Sequence, residues 1–224
     1  MNLRVKICGI TNPDDALQCV EAGAHALGFI FYHGSPRNIN PEVAAEIIGQ
    51  LPPYVTPVGV FVNETRSRIE EIIRDTRIRI IQFSGEEPPD QCTGYRAKVW
   101  KAFRFRPGES VDHVREYSIA AAVADGYREN QYGGTGTLAD PETAIALKQF
   151  HPVVLAGGLN PSNILTAARR VQPFAVDINS GVESSPGRKD PAKLAALFEA
   201  LSEFLHTDDA SSTRHHQTHS SRKR

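Results

Sequence analysis

Residues 4–13 read Arg-Val-Lys-Ile-Cys-Gly-Ile-Thr-Asn-Pro, and this stretch contains the unit from which most of the chain is built. An apolar strand runs out at Cys8, a glycine follows, and Asn12-Pro13 opens a helix. The asparagine side chain satisfies a free N–H of the first turn, and proline at the first helical position lacks only a donor that would be orphaned anyway. The same device recurs at Asn40-Pro41, Asp140-Pro141, Asn160-Pro161 and Asp190-Pro191. Runs rich in Val, Ile, Phe and Ala fall at about 3–8, 25–31, 56–62, 78–83, 98–103, 118–124, 152–156 and 174–178. Each is followed by helical spacing or a helix-start signal. Such alternation implies a parallel sheet with helical crossovers, and eight units without reversal favour closure over an open doubly wound sheet. The expected fold is α/β, a single-domain (β/α)8 TIM barrel over residues 1–205.

Beyond residue 205 the composition changes. Residues 206–224 are polar throughout and show no apolar period, so they bury too little to offset their ordering entropy, and a disordered tail is expected. His215, His216 and His219 lie there. They could take up a transition metal adventitiously, but nothing frames them into a site, and no metal is assigned.

The whole chain carries 25 Lys plus Arg against 26 Asp plus Glu. That balance argues against a nucleic-acid-binding surface spread over the molecule, so an anionic substrate must be held locally. The three cysteines are irregularly spaced, which points to a reducing compartment and free thiols. With no leader and no apolar run long enough to cross a bilayer, a cytoplasmic protein without a membrane partner is expected. Monomer and homodimer are not distinguishable from the sequence.

In a closed α/β barrel, chemistry sits at the carboxyl ends of the strands. Those positions hold Cys8, Ser35-Pro36-Arg37, Gln82-Phe83-Ser84, Asp125, Gly157-Gly158 and Asp177-Ile178-Asn179-Ser180-Gly181. Cys8 taken alone reads as a packed cysteine, and Asp125 before Gly126 as a turn. Together across one barrel mouth they form a base and an acid suited to moving a proton between carbons. No Ser/His/Asp arrangement and no zinc spacing competes with them. Gly157, Gly158, Ser180 and Gly181 either make tight turns or offer backbone N–H groups to a phosphate, the usual occupant of loops 7 and 8. Arg37 is either a surface charge or a planar fork for a carboxylate. Lys6 either lowers the pKa of Cys8, with help from the adjoining helix amino terminus, or pairs with Asp177. Cys19 is expected to pack on the barrel, and Cys92 to be peripheral.

Seven motifs in order, Lys6-Ile-Cys-Gly-Ile-Thr11, Gly28-Phe-Ile-Phe31, Ser35-Pro-Arg37, Gly59-Val-Phe-Val62, Tyr132-Gly-Gly-Thr-Gly136, Leu155-Ala-Gly-Gly-Leu-Asn160 and Ser180-Gly-Val-Glu183, closely resemble the phosphoribosylanthranilate isomerase family. The resemblance spans about residues 3–205. It implies an Amadori rearrangement of N-(5-phosphoribosyl)anthranilate in tryptophan biosynthesis. Cys8 would be the general base, Asp125 the general acid, Arg37 the anchor for the anthranilate carboxylate, and the glycine loops the phosphate site. Asp177 is expected to touch substrate. No cofactor is implied, because the substrate nitrogen supplies the electrons.

The chain departs from the family pattern at Ser84, where a histidine is usual, at Thr137-Leu138-Ala139-Asp140, at Asn179 and at Gly126. These changes bear on efficiency and substrate preference. They motivate two alternatives, a related sugar-phosphate isomerase and a phosphate-binding barrel without catalysis.

Overall fold

The computed structural model describes residues 3–106, 108–126 and 139–212, and in it the expected strands all form. They are β1 (Arg4–Ile7), β2 (Ala26–Ile30), β3 (Thr56–Phe61), β4 (Ile80–Phe83), β5 (Lys98–Phe103), β6 (Ala121–Ala124), β7 (Val153–Leu155) and β8 (Ala175–Ile178). Each pairs in parallel with its neighbour in sequence, and β8 pairs back onto β1 to close the barrel. That closing register sets Lys6 opposite Asp177.

The strands are buried on both faces. On β6, Ala121 and Val123 join Val58, Trp100 and Val154 in one apolar cluster, while Ala122 and Ala124 join the larger cluster that holds Ile7, Phe29 and Phe61. The two-residue alternation of a strand divides the core into a barrel interior and a layer beneath the helices. Trp100, three valines and five alanines make up the interior cluster.

The helices are α1 (Pro13–Ala22), α2 (Pro41–Gln50), α3 (Arg66–Thr76), α4 (Pro141–Leu147), α5 (Ile164–Val171) and α6 (Pro191–Ser212). Asn12, Asn40, Asp140 and Asp190 cap as the sequence predicts, accepting from the N–H groups of Asp15, Glu42, Thr143 and Ala192. Asn160 does not. Its Oδ1 takes the N–H and hydroxyl of Ser162, making a turn that delays α5 to Ile164.

Two further differences lie after β4 and β5, where 3-10 turns at Pro89–Cys92 and Asp112–Glu116 replace α-helices. Pro88-Pro89 removes two successive donors at the first. At the second only Val114 is buried, too little for an amphipathic face. The Pro89–Cys92 turn also folds inward, so Cys92 is fully buried and not peripheral. An antiparallel pair that the sequence reading does not contain, β9 (Glu183–Ser185) with β10 (Arg188–Lys189), stands outside the barrel between β8 and α6. Helix α6 runs past residue 205, and residues 213–224 of the polar tail lie outside the described residues.

Candidate active site

At the carboxyl ends of the strands lies a cavity of about 400 Å³. Cys8, Arg37, Asp125, Gly157, Gly158, Asp177 and Ser180 all line it. The motif at 132–136 and Thr137 lie outside the described residues.

Cys8 is 5 % exposed. Its backbone N–H donates to the Ile178 carbonyl at 2.8 Å, extending the β1–β8 ladder by one step and fixing the thiol at the rim. Beneath it Gly28 leaves room for the thiol, because a Cβ there would sit 2.6 Å from the cysteine Sγ and force it to shift. Burial pushes the thiol pKa up, Lys6 pulls it back, and Asp177 raises it again. The lowering expected from sequence is thus reversed in sign, because desolvation outweighs the nearby cation. Cys19 and Cys92, each pushed up to about 12 by burial, are inert packing groups.

Lys6 Nζ donates to Asp177 Oδ2 at 2.6 Å, both side chains being buried. Burial opposes the lysine's charge, but Asp177 and the adjacent Cys8 raise its pKa, so it stays a cation. Of the two expectations for Lys6, the geometry has the pairing with Asp177; beside the thiol its charge only opposes the upward push of burial. Asp177 Oδ1 and Gln82 Oε1 are buried with no partner among the described residues. Gln82 also lines the cavity, and its Nε2 donates to the Ser84 hydroxyl at 3.2 Å.

Asp125 follows β6 and its N–H donates to the Phe103 carbonyl at 3.1 Å. Burial pushes the carboxyl up to about 6, against the opposing pull of Arg104 and of the Gly126 N–H that donates to Oδ1. A carboxylic acid tuned so is poised to give up a proton near neutral pH.

Arg37 is held tightly on one edge. Its Nε donates to Glu183 Oε1 at 2.9 Å and its Nη2 to Oε2 at 2.6 Å, while its backbone N–H donates to Ser35 Oγ. Nη1 has no partner among the described residues, and the side chain remains on the cavity wall. Gly157 and Gly158 take φ of +77° and +56°, which turns the chain after β7 along the cavity. Ser180 lines the same wall, whereas Gly181 stands behind it. A Cβ on Gly181 would lie 1.9 Å from the Leu159 carbonyl, so this glycine lets the β8 loop press against the β7 loop.

The sequence reading placed Gln82 at a strand end but gave it no role, and it missed Glu183, Lys189 and Gly28. Glu183 and Gly28 stand inside quoted motifs; Lys189 carries no local signal.

Such a mouth, with a thiol, a carboxyl and a guanidinium on one cavity of a closed barrel, suits an enzyme acting on a small anion. The family profile described as N-(5'phosphoribosyl)anthranilate (PRA) isomerase matches residues 5–200. An N-(5'-phosphoribosyl)anthranilate isomerase of Trichlorobacter lovleyi is 48 % identical over 91 % of this chain and all of its own length. The crystal structure of phosphoribosyl anthranilate isomerase from Thermus thermophilus superposes with a TM-score of 0.83 at 38 % identity, covering 90 % of this chain and 100 % of that one. A phosphoribosyl anthranilate isomerase in complex with reduced 1-(o-carboxyphenylamino)-1-deoxyribulose 5-phosphate superposes with a TM-score of 0.79 at 38 % identity, again covering 90 % and 100 %.

The chain belongs to the N-(5'-phosphoribosyl)anthranilate isomerase family. It is an isomerase of tryptophan biosynthesis, and its substrate is a small phosphorylated molecule.

Proposed function

We propose that Cys8 is the general base and Asp125 the general acid of the Amadori rearrangement of N-(5'-phosphoribosyl)anthranilate. Asp125 gives its proton to the ribose ring oxygen as the C1'–O bond breaks. The anthranilate nitrogen lone pair forms the C=N bond left behind, so ring opening yields a protonated imine. The Cys8 thiolate then removes the C2' proton. The C–H electron pair becomes a C1'=C2' bond and the C=N pair returns to nitrogen, giving a neutral enolamine. Tautomerisation, in which C1' gains a proton and the C2' hydroxyl loses one, gives the ketone 1-(2-carboxyphenylamino)-1-deoxyribulose 5-phosphate. The nitrogen is both electron source and sink, so the residues named suffice without a cofactor. No nucleic-acid or membrane partner enters the reaction, and the setting proposed is the cytoplasm, with residues 1–205 as the working domain.

The observation that carries this reading is that Cys8 after β1 and Asp125 after β6 line one cavity with Arg37 and the glycine loop after β7. Arg37 binds the anthranilate carboxylate through the fork edge that Glu183 leaves open. Backbone N–H groups at Gly157, Gly158 and Ser180 cradle the phosphate, with Gly181 setting the spacing of the loops. Asp177 Oδ1 and Gln82 Oε1, acceptors without donors, suit the hydroxyls of the opened sugar, since a buried acceptor left bare costs about 1–3 kcal/mol. Ser84 takes part by holding the Gln82 amide. Decay of phosphoribosylanthranilate fluorescence on adding the protein tests the whole reading. A wild-type protein that binds phosphate but gives no decay belongs to the non-catalytic alternative.

Two substitutions probe individual roles. Arg37→Lys loses the planar fork, and KM for phosphoribosylanthranilate is expected to rise about tenfold with a smaller change in kcat; an unchanged KM removes Arg37 from the site. The midpoint pH for alkylation of Cys8 by iodoacetamide is expected above the usual thiol value of about 8.5. Lys6→Met should move it higher still, because the opposing cation is gone. A midpoint that stays put in this variant denies Lys6 any electrostatic part.

A further inference from the structure

The β9–β10 hairpin carries two buried ions that the reaction steps do not use. Glu183 is 6 % exposed and Lys189 5 %, and buried charges are costly unless paired and hydrogen-bonded. Both are. Besides Arg37, Glu183 Oε1 accepts from Lys189 Nζ at 3.0 Å. Lys189 Nζ also donates to the carbonyl oxygen of Cys8 at 2.6 Å, and its backbone N–H donates to Asp15 Oδ2 in α1 at 2.8 Å. Thr11 Oγ1 donates to the Gly187 carbonyl at 2.6 Å, and Lys193 Nζ in α6 to the Glu183 carbonyl at 2.6 Å. One cluster therefore joins the loop bearing the thiol, the loop bearing the guanidinium and the last helix. Burial alone would raise the pKa of Glu183, but Arg37 and Lys189 bring it below the usual carboxylate range, so it is charged at neutral pH.

This arrangement is directional. Glu183 grips the Nε–Nη2 edge of Arg37, a residue of the cavity wall, and makes no bond to Nη1, so the side chain's rotamer freedom is already lost before a ligand arrives. We propose that Glu183 and Lys189 are positioning residues for recognition of the aromatic carboxylate. Glu183 aims the Arg37 fork, and Lys189 ties that fork to the backbone of Cys8, so that anchor and base keep a fixed spacing. The inference rests on the roles assigned above to Arg37 and Cys8.

The test is the ratio of kcat/KM for phosphoribosylanthranilate to that for its aniline counterpart, which lacks the carboxylate. This ratio is independent of the fraction of protein folded. Wild type should favour the carboxylated substrate and Arg37→Lys should lose much of that preference. Glu183→Gln keeps one acceptor but loses the two-point grip, and is expected to cut the ratio roughly tenfold; Lys189→Met should cut it roughly threefold. Should either single variant fail to fold, the charge-balanced Glu183→Gln/Lys189→Met variant gives the same readout. A lowered Tm with the wild-type ratio retained would make the hairpin a clasp only and overturn the proposal. No preference in wild type, or a preference kept in Arg37→Lys, would overturn it together with the assignment of Arg37.

Discussion

Cys8→Ala is expected to lower kcat at least a thousandfold while leaving KM within a few-fold of wild type. A positioned base contributes on the order of 10²–10⁴ in rate, and no other thiol can substitute, since Cys19 and Cys92 are buried away from the cavity. Alanine removes only the sulfur atom above Gly28, so the ladder from the residue-8 N–H to Ile178 survives and the fold should be unaffected. Single-turnover fluorescence with the purified variant separates binding from chemistry. Residual turnover above a tenth of wild type would transfer the role of base to another group.

Asp125→Asn should have two consequences of opposite sign. Turnover falls by roughly a thousandfold, because the amide has no acidic proton for the ring oxygen. Stability rises. The folded-state pKa of Asp125 is raised from 3.8 to about 6, so the native state binds its proton more tightly than the unfolded chain. The resulting destabilisation is absent below pH 3.8, grows between these values, and is complete above about pH 6. A shift of this size corresponds to on the order of 1–3 kcal/mol once cavity water is allowed to screen part of it. Urea melts of wild type and variant should thus coincide near pH 4 and separate at pH 7, the variant being the more stable. A gap that does not change with pH would contradict burial as the source of the shift.

The same carboxyl shapes the pH profile of the wild type. In the proposed mechanism the working form has Asp125 protonated and Cys8 ionised, although the acid has the lower pKa of the two. That form is a small, constant fraction between the two values, so kcat/KM should climb to about pH 6, stay level, and fall only where the thiol titrates.

The barrel was legible because its signals are local and repeated. Proline after Asn or Asp marks a helix start wherever the side chain is free to turn onto the following amides, as Asn12 and Asp140 are. It misleads at Asn160, whose side chain is diverted to Ser162. The turns after β4 and β5 escape such reading because how much of a short segment is covered depends on partners elsewhere, and the same ignorance misplaces Cys92. In the mouth, residues at strand ends were legible from barrel geometry alone: Cys8, Asp125 and Asp177 could be named before any coordinate. The pKa of Cys8 was not, since it depends on a net desolvation that no neighbour in sequence reports. Nor was Lys189, whose three side-chain partners lie on the β1 loop, after β8 and across its own hairpin.

The β1–β8 seam joins the two ends of the barrel segment, and through it the thiol on the first strand meets groups made last. Lys6 and Asp177 are separated by 171 positions, and the Cys8 carbonyl and Lys189 by 181. A chain grown as far as Asp125 already holds the proposed base and acid, yet neither has the floor, the cradle nor the tether that later residues bring. On the proposed roles, chemistry therefore waits for β8 and the β9–β10 hairpin to dock against β1, contacts of the long-range kind that form slowly.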